Sequence, residues 1–313
     1  MREIAVFSGS AHPGLAREIC DCLGVPLSPA RCQRFANDCL EVQLQANCRE
    51  RDVFIVQTLS PPVQEHLVEL LLMINAARGA SASRITVVIP HYAYARSDKK
   101  DMPRISIGGR LVADLLVTAG ATRVLALALH SPQVHGFFSV PVDHLHALGE
   151  MAAHFRRYDL SDAVVVAPDL GYAKDANAFA RRLDTGVAMA VKKRFENDKV
   201  VISDIIGEVK GKDVIVIDDE IAKGSTLIEL MSHLRREGAR TVRVACTHGL
   251  FSGGALERLS AQDDILEIVS TNTIPVVEPQ RFPKLTVLSI APALAEAMRR
   301  IHAGESVSEL FHG

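Results

Sequence analysis

Short runs of β-branched and other apolar residues alternate along the chain with longer stretches in which apolar positions recur every three or four residues. The short runs predict strands, and the longer stretches predict amphipathic helices. Strands separated by helices pair in parallel through right-handed crossovers, so the pattern predicts an α/β protein. The predicted strands are Ile4–Ser8, Asp52–Gln57, Arg84–Ile89, Arg123–Leu127, Ala163–Ala167, Val187–Ala190, Asp213–Ile217, Thr241–Cys246, Ile265–Thr271 and Leu285–Ser289. The predicted helices are Gly14–Leu23, Pro62–Ala80, Gly108–Ala119, Leu145–Phe155, Ala173–Leu183, Leu227–Glu237 and Pro292–Ala303.

The alternation nearly restarts at Ala163, after the polar stretch Arg156–Asp162. We therefore predict two domains of ordinary size, residues 1–150 and residues 151–313. The last helix of the second domain is a candidate to pack back on the first.

Composition narrows the class of protein. Hydrophobic residues make up 48% and charged residues 23% of the chain, which is typical of a globular protein. The formal charge of −2 gives no bulk attraction to nucleic acid or to an anionic membrane, so neither is an expected partner. Arg2 and Glu3 lead directly into a strand-like run, and no apolar segment reaches membrane-spanning length, so we expect a cytoplasmic protein. The Cys20–Cys22 spacing is too short for a zinc knuckle, which favours reduced thiols over a metal cluster.

Paired carboxylates end one of the apolar runs. Asp218 and Asp219 close this run, and a turn with Gly224, Ser225 and Thr226 leads into an amphipathic stretch. This order places two acids at the end of a strand and free backbone N–H groups at the start of a helix. Ribose hydroxyls fit the acids, and a phosphate fits the N–H groups. The alternative is an ordinary strand–turn–helix connection.

A basic loop follows the third predicted strand. It carries Arg96, Lys99, Lys100 and Arg104 close to two tyrosines. Cations beside aromatic rings suit a nucleoside polyphosphate, because the charges meet phosphates and the rings meet a base. A solvated basic loop is the alternative.

Two further strand ends carry possible metal ligands. His130 follows a strand whose sequence indicates burial. It could bind a metal ion, donate a hydrogen bond to a phosphate, or have only a structural role. Asp169 ends another strand before a glycine and a helix. Its carboxylate suits a hard divalent cation, with the following N–H groups on a diphosphate, or it caps the helix.

A cationic run follows the sixth predicted strand. Lys192, Lys193 and Arg194 precede a polar stretch with no apolar face. The run is either a basic loop that closes over a charged substrate or a surface hairpin. Five strand-end loops with phosphate-compatible chemistry are much less probable by chance than any one of them.

Together these segments resemble the ribose-phosphate pyrophosphokinase family, and the resemblance covers nearly the whole chain. YARSDKKD is similar to a family signature, and so is LHSPQVHGFFSVPVD. APDLGYAK resembles the pyrophosphate loop, KKR the catalytic flexible loop, and IDDEIAKGSTL the ribose-5-phosphate loop. THGLFSGGALERL and TNTIP resemble later family segments.

The resemblance implies two tandem phosphoribosyltransferase-like domains, each a mainly parallel sheet flanked by helices. It implies transfer of the β,γ-diphosphoryl group of Mg-ATP to the 1-hydroxyl of ribose 5-phosphate, giving 5-phosphoribosyl 1-diphosphate and AMP. Lys192 and Arg194 would be catalytic, and His130 and Asp169 would bind Mg²⁺. Phe35 would stack on adenine from a neighbouring subunit, which implies a homo-oligomer with a shared adenine site.

The resemblance also implies three sets of binding residues. The ATP-binding set is Phe35, Asn37, Arg96, Ser97 and Lys99. The ribose-5-phosphate set is Asp218, Asp219, Lys223, Gly224, Ser225 and Thr226. The pyrophosphate loop contributes Asp169, Gly171 and Lys174.

Several residues depart from the family pattern. In the adenine segment, Asn37 and Cys39 replace the usual acids, and Ser97 replaces a glutamine. Ala222 and Lys223 stand where the family usually has an acid and a threonine. These changes keep open a non-catalytic regulatory paralogue that binds nucleotide and associates with active subunits. A base-accepting phosphoribosyltransferase is a weaker alternative, because the basic run and the ATP-like signature argue against it.

Overall fold

The computed structural model describes residues 3–194, 200–276 and 278–311. The chain divides into two compact units. The first contains the chain up to His146, Thr273–Pro275, and the chain from Ser289 onward. The second contains Ala147–Asn272 and Val276–Leu288. The chain thus returns to the first unit after Leu288, whereas the sequence division near residue 150 assigned 151–313 to a second domain.

The described residues form the following elements. The strands are β1 Ile4–Ser8, β2 Leu27–Ser28, β3 Ala30–Arg34, β4 Leu40–Leu44, β5 Asp52–Val56, β6 Arg84–Ile89, β7 Arg123–Leu127, β8 Val142–Leu145, β9 Ala163–Ala167, β10 Gly186–Arg194, β11 Val200–Ile206, β12 Asp213–Ile221, β13 Thr241–Gly249, β14 Ile265–Thr271 and β15 Leu285–Leu288. The α-helices are α1 Pro13–Leu23, α2 Val63–Gly79, α3 Gly108–Ala119, α4 Leu148–Phe155, α5 Ala173–Leu183, α6 Ser225–Arg236, α7 Ala255–Ser260 and α8 Ala291–Ala303.

The first unit is built on a six-stranded parallel sheet in the order β2-β1-β5-β6-β7-β8. Every residue of β5 is buried, as expected for a parallel strand that is covered on both faces. Strands β3 and β4 form a separate antiparallel hairpin. The sequence pattern missed this hairpin because its residues are polar and partly exposed, which leaves a weak apolar signal.

The second unit contains a seven-stranded sheet in the order β11-β10-β9-β12-β13-β14-β15. All pairs are parallel except β10 with β11. The carboxyl-terminal ends of β9, β10 and β12 therefore lie at the same end of the sheet. Strand β12 extends past the predicted end at Ile217, because backbone pairing to β13 continues through Glu220 with His248 and Ile221 with Gly249.

The last helix belongs to the first unit. It packs against α1, and its end is held at the start of the central strands. The carboxylate of Asp52 is fully buried and accepts a hydrogen bond from His302 Nδ1 at 2.8 Å. Arg84 contacts the same carboxylate and donates to the carbonyl oxygens of Ile301 and His302, each at 3.2 Å. Within the described ranges, no helix is long and apolar enough to cross a membrane.

Candidate active site

A lysine on one strand and an aspartate that follows the neighbouring strand are in contact at the carboxyl-terminal end of the strands in the second sheet. Lys192, on β10, places its Nζ atom 2.7 Å from Oδ2 of Asp169, which follows β9. The other carboxylate oxygen of Asp169 accepts a hydrogen bond from the N–H of Tyr172 at 3.2 Å. Asp169 therefore caps the short 3₁₀ helix Leu170–Tyr172 and also pairs with a cation. The capping alternative therefore describes its backbone contact, while the predicted role of Asp169 as a metal ligand stays a prediction.

Two carboxylates lie on the next strand of the sheet. Asp219 is buried, and its N–H donates to Oδ1 of Asp218 at 2.9 Å. Burial raises the pKa of Asp218 well above its usual range, and the negative charge of Asp219 adds to this effect. A pair of crowded acids gains from hydrogen-bond donors, and the vicinal hydroxyls of a sugar supply such donors without adding negative charge.

The residues after β12 form a tight turn, Ala222–Thr226, which we call the phosphate turn. Gly224 has a φ of 70°, and helix α6 begins at the next residue. A side chain at Gly224 would have strained backbone geometry, and its Cβ would lie 3.3 Å from Leu259 Cδ1. The first N–H groups of α6 have no partners within the helix, so an anion at the end of the turn could accept hydrogen bonds from them. Lys223 is exposed beside them.

The residues of the predicted pyrophosphate loop follow Asp169 along the chain. A Cβ at Gly171 would lie 3.1 Å from Asp169 Oδ1, so a larger residue would crowd the carboxylate. Lys174 is exposed in the first turn of α5. Tyr172 is partly buried, and burial raises its pKa, with Asp175 and the paired acids adding to the shift. Tyr172 therefore stays a neutral hydroxyl near the diacid.

The cationic run after the sixth predicted strand is part of an antiparallel hairpin. Strand β10 continues through Arg194 and pairs with β11, with Lys192 opposite Ile202. The surface-hairpin alternative therefore describes the backbone, while the Lys192 side chain lies at the carboxylate. The side chain of the predicted catalytic Arg194 lies outside the described residues, as does that of Lys193.

In the first unit, the predicted ATP-binding loop follows β6. Arg96 and Lys99 are both exposed. Ser97 has a local structural role: its Oγ accepts the Gly108 N–H at 2.8 Å, at the start of α3. Ser131 contacts the carboxylate of Asp98, which ties this loop to the one that carries the exposed His130.

The predicted adenine segment is the turn of the β3–β4 hairpin. The N–H of Phe35 donates to the carbonyl oxygen of Cys39 at 2.8 Å, which closes the turn. Phe35 is 47% exposed, so its ring is accessible for stacking. Asn37 Oδ1 accepts the N–H of Cys39 at 3.3 Å, so the asparagine serves the turn itself.

Arg258 has a contact that the sequence did not predict. Its guanidinium donates from Nη2 to the carbonyl oxygen of Lys223 at 2.7 Å, in the phosphate turn. Arg258 lies in the segment THGLFSGGALERL, which resembles the family, but the resemblance by itself implies no role for this residue. Only the packing of α7 against the turn reveals the connection.

Comparisons with known proteins cover both units. Residues 4–120 match the N-terminal domain of ribose phosphate pyrophosphokinase, and residues 195–312 match the phosphoribosyl synthetase-associated domain. A Streptomyces coelicolor protein assigned to ribose-phosphate pyrophosphokinase is 73% identical over 311 residues, which are 99% of this chain and 98% of that protein. The Deinococcus radiodurans ribose-phosphate pyrophosphokinase is 52% identical over 313 residues, which are 98% of each chain.

A solved structure agrees with these sequence matches. The crystal structure of phosphoribosylpyrophosphate synthetase from Mycobacterium smegmatis is similar to this chain, with a TM-score of 0.91 and 39% identity. The match covers 97% of this chain and 100% of that one. The predicted fold, two phosphoribosyltransferase-like domains with mainly parallel sheets flanked by helices, is confirmed.

Proposed function

Because the chain belongs to the ribose-phosphate pyrophosphokinase family and is an enzyme of that class, we propose that it transfers the β,γ-diphosphoryl group of Mg-ATP to ribose 5-phosphate. The 1-hydroxyl oxygen of the sugar bonds to the β-phosphorus, and the bond from that phosphorus to the α,β-bridging oxygen breaks. AMP leaves with that oxygen, 5-phosphoribosyl 1-diphosphate forms, and one proton passes to solvent. The product is a precursor for nucleotide biosynthesis.

The observation that carries this proposal is the contact between Lys192 and Asp169 at the edge that also holds the paired acids. Both substrates are anionic, so catalysis depends on neutralising charge and fixing positions. The Lys192 ammonium is a mobile charge that can leave the carboxylate for the transferring phosphoryl oxygens. Arg194 is proposed to act beside it.

The sugar phosphate is proposed to bind along the strand β12 and the phosphate turn. The carboxylates of Asp218 and Asp219 accept hydrogen bonds from the ribose hydroxyls. The N–H groups at Gly224, Ser225 and Thr226 bind the 5-phosphate at the positive end of α6. In this arrangement Lys223 adds a direct positive charge at the position where the family usually has a threonine.

ATP is proposed to bind through residues of the first unit. The exposed cations Arg96 and Lys99 meet its phosphates, and Ser97 holds the start of α3 behind them. The Phe35 ring stacks on adenine, and Asn37 keeps the turn that presents the ring. We extend this to a homo-oligomer in which Phe35 serves the adenine site of a neighbouring subunit.

Mg²⁺ is the cofactor that this reaction requires, and the donor chemistry of the site fits it. Among the described residues, no group of three or more histidine, cysteine or acidic side chains forms a cage. Mg²⁺ does not need one, because it keeps several waters and binds through one or two carboxylates plus substrate phosphates. The partly exposed carboxylate of Asp169 supplies such an oxygen, and His130 is the second proposed partner. When bound, the ion would neutralise the phosphate charge.

A chromatographic assay of AMP formation tests the proposal. Purified protein is mixed with ATP, Mg²⁺ and ribose 5-phosphate, and AMP is measured with and without the sugar phosphate. AMP in a one-to-one ratio with 5-phosphoribosyl 1-diphosphate supports the proposal. No AMP with any nucleoside triphosphate overturns it.

The same assay separates the alternatives. Turnover by the protein alone excludes the regulatory paralogue, which would bind nucleotide without reaction and change the rate of an active partner. Release of diphosphate from 5-phosphoribosyl 1-diphosphate in the presence of a purine or pyrimidine base would instead indicate a base-accepting phosphoribosyltransferase.

A further inference from the structure

The phosphate turn is held from behind by the segment that follows β13. The carbonyl oxygen of Ile221 accepts the N–H groups of Leu250 and Phe251, each at 3.0 Å. The next carbonyl, of Ala222, accepts the N–H of Ser252 at 2.9 Å. Two successive carbonyl oxygens at the start of the turn therefore point toward this segment.

Arg258 binds the third carbonyl in the series. Its Nη2 donates to the carbonyl oxygen of Lys223 at 2.7 Å, and its Nη1 donates to that of Gly253 at 2.6 Å. One planar guanidinium thus bridges the phosphate turn and the loop before α7. Bonds from a charged donor are stronger than those from a neutral N–H, and the planar group fixes both directions at once.

The direction of these carbonyls fixes the direction of the following N–H groups. In a trans peptide, the C=O of one residue and the N–H of the next point in opposite directions. Since the carbonyl of Lys223 points to Arg258, the N–H of Gly224 points to the opposite side of the turn. The N–H of Lys223 is turned in the same way by the bond from Ser252 to Ala222. Both N–H groups therefore point away from the supporting segment, which is the side of the turn on which the proposed phosphate would bind.

Without the arginine, the peptide between Lys223 and Gly224 has an alternative orientation. Gly224 already has a φ of 70°, and glycine tolerates many other backbone conformations. A flip of this peptide would turn the Lys223 carbonyl oxygen toward the bound phosphate and remove the Gly224 N–H from it. A carbonyl oxygen repels an anion, so the flipped turn would bind phosphate weakly.

We propose that Arg258 is a positioning residue that locks the Lys223–Gly224 peptide in the orientation that binds the 5-phosphate of the sugar. This role rests on the proposed function of the turn. The guanidinium acts on the substrate only through the backbone, so it affects binding of ribose 5-phosphate and leaves ATP binding alone. The residue lies on α7, which the sequence did not predict as a helix.

The test compares Arg258→Ala with Arg258→Lys and the wild type. We expect Arg258→Ala to raise KM for ribose 5-phosphate about tenfold, as expected for the loss of a charge-assisted hydrogen bond, with an unchanged KM for ATP. Calorimetric Kd values for ribose 5-phosphate should change by the same factor. A lysine can reach one carbonyl but not bridge two, so Arg258→Lys should fall between them. Arg281→Ala, which removes an exposed arginine paired with Glu278 in the same unit, should change neither KM.

The outcomes separate this inference from the proposed function. A wild-type protein that makes no AMP overturns the function, whereas calorimetry still measures sugar-phosphate binding in each variant. An active wild type with an unaltered KM and Kd for ribose 5-phosphate in Arg258→Ala overturns the positioning role. Equal rises in both KM values would mean that Arg258 has no specific effect on the sugar phosphate. A lower melting temperature with both KM values unchanged would mean that Arg258 contributes to stability alone. Either result overturns the positioning role.

Discussion

Lys192 Nζ and Asp169 Oδ2 are 2.7 Å apart, although Lys192 lies on β10 and Asp169 follows β9, and the two residues are predicted to have different roles. Their side chains are 24% and 40% exposed, so the pair is accessible to solvent and to ligands. Ion pairs of this kind contribute little to stability. The contact therefore matters more for the site than for the stability of the fold.

Replacing Lys192 with alanine should lower kcat about 100-fold or more, because it removes a positive charge that neutralises the transferring phosphates. The melting temperature should stay close to that of the wild type. Initial rates of AMP formation and a thermal unfolding curve provide the measurement. The matched control is Lys212→Ala. Lys212 immediately precedes β12, at the opposite end of the strands, and its Nζ lies 3.6 Å from Asp162. A near-normal kcat together with a much lower melting temperature would instead assign Lys192 a structural role.

Replacing Asp169 with asparagine should raise the Mg²⁺ concentration for half-maximal activity about tenfold, because a neutral amide is a poorer ligand for a hard cation than a carboxylate. Activity is measured against Mg²⁺ at fixed ATP, and metal binding by calorimetry. The control is Asp184→Asn at the end of α5, where φ is 54° and asparagine is well tolerated. An identical Mg²⁺ dependence in Asp169→Asn and the wild type contradicts the metal role.

Two glycines with the same φ make it possible to distinguish the effect of backbone strain from an effect on substrate binding. Gly224 and Gly211 both have a φ of 70°, but a Cβ at Gly211 would meet nothing within 4 Å. Each change to alanine should lower the free energy of unfolding by about 1 kcal/mol, through backbone strain. Only Gly224→Ala should also raise KM for ribose 5-phosphate, because its Cβ pushes against Leu259 beside the phosphate turn. Denaturant unfolding and steady-state kinetics give both quantities, and an equal KM in the two variants argues against the phosphate role of the turn.

Asp213 makes the stability of the second unit depend on pH. Hydrogen bonds from Arg240 lower the pKa of Asp213 to about 2. A carboxyl group with a lower pKa in the folded state stabilises the fold above its unfolded pKa of about 3.9, and this stability disappears as the pH falls through about 2. Asp213→Asn should therefore lower the free energy of unfolding by about 1 kcal/mol at pH 7, since solvent screens the half-exposed arginine.

The difference between Asp213→Asn and the wild type should shrink as the pH falls from about 4 to about 2. Urea unfolding at several pH values measures it. Asp263→Asn, at an exposed acid in the turn before β14, serves as the control and should behave as the wild type throughout. A difference for Asp213→Asn that is constant down to pH 2 contradicts the ion-pair account.

Most strands of the two mainly parallel sheets, and the longer helices that flank them, could be predicted closely from the chain, but strands β2 and β8 were not predicted. Strands β1, β6, β7, β9 and β14 begin and end where their apolar runs do. Fully buried parallel strands require continuous apolar sequence, which makes them visible in the pattern. The hairpin β3–β4 and strand β11 lack this signal. Helix α7 has only six residues, too few for a clear helical period.

The candidate site likewise combines residues that the sequence predicts with contacts that only the folded structure shows. Strand-end acids, glycines and cations are local features, so Asp169, Asp218 and Gly224 could be singled out from the order of residues alone. The contact of Lys192 with Asp169 depends on which strands are neighbours, and the support of the phosphate turn depends on where α7 packs.

The sequence by itself determined the class of fold and the residue types at each strand end, because apolar periodicity and turn residues act over a few neighbouring positions. The tertiary structure decided that β9 lies between β10 and β12, and that Arg258 reaches the carbonyl of Lys223. Residues that are 23 or 35 positions apart meet only through sheet order and helix packing, which are set by the whole core rather than by any local stretch.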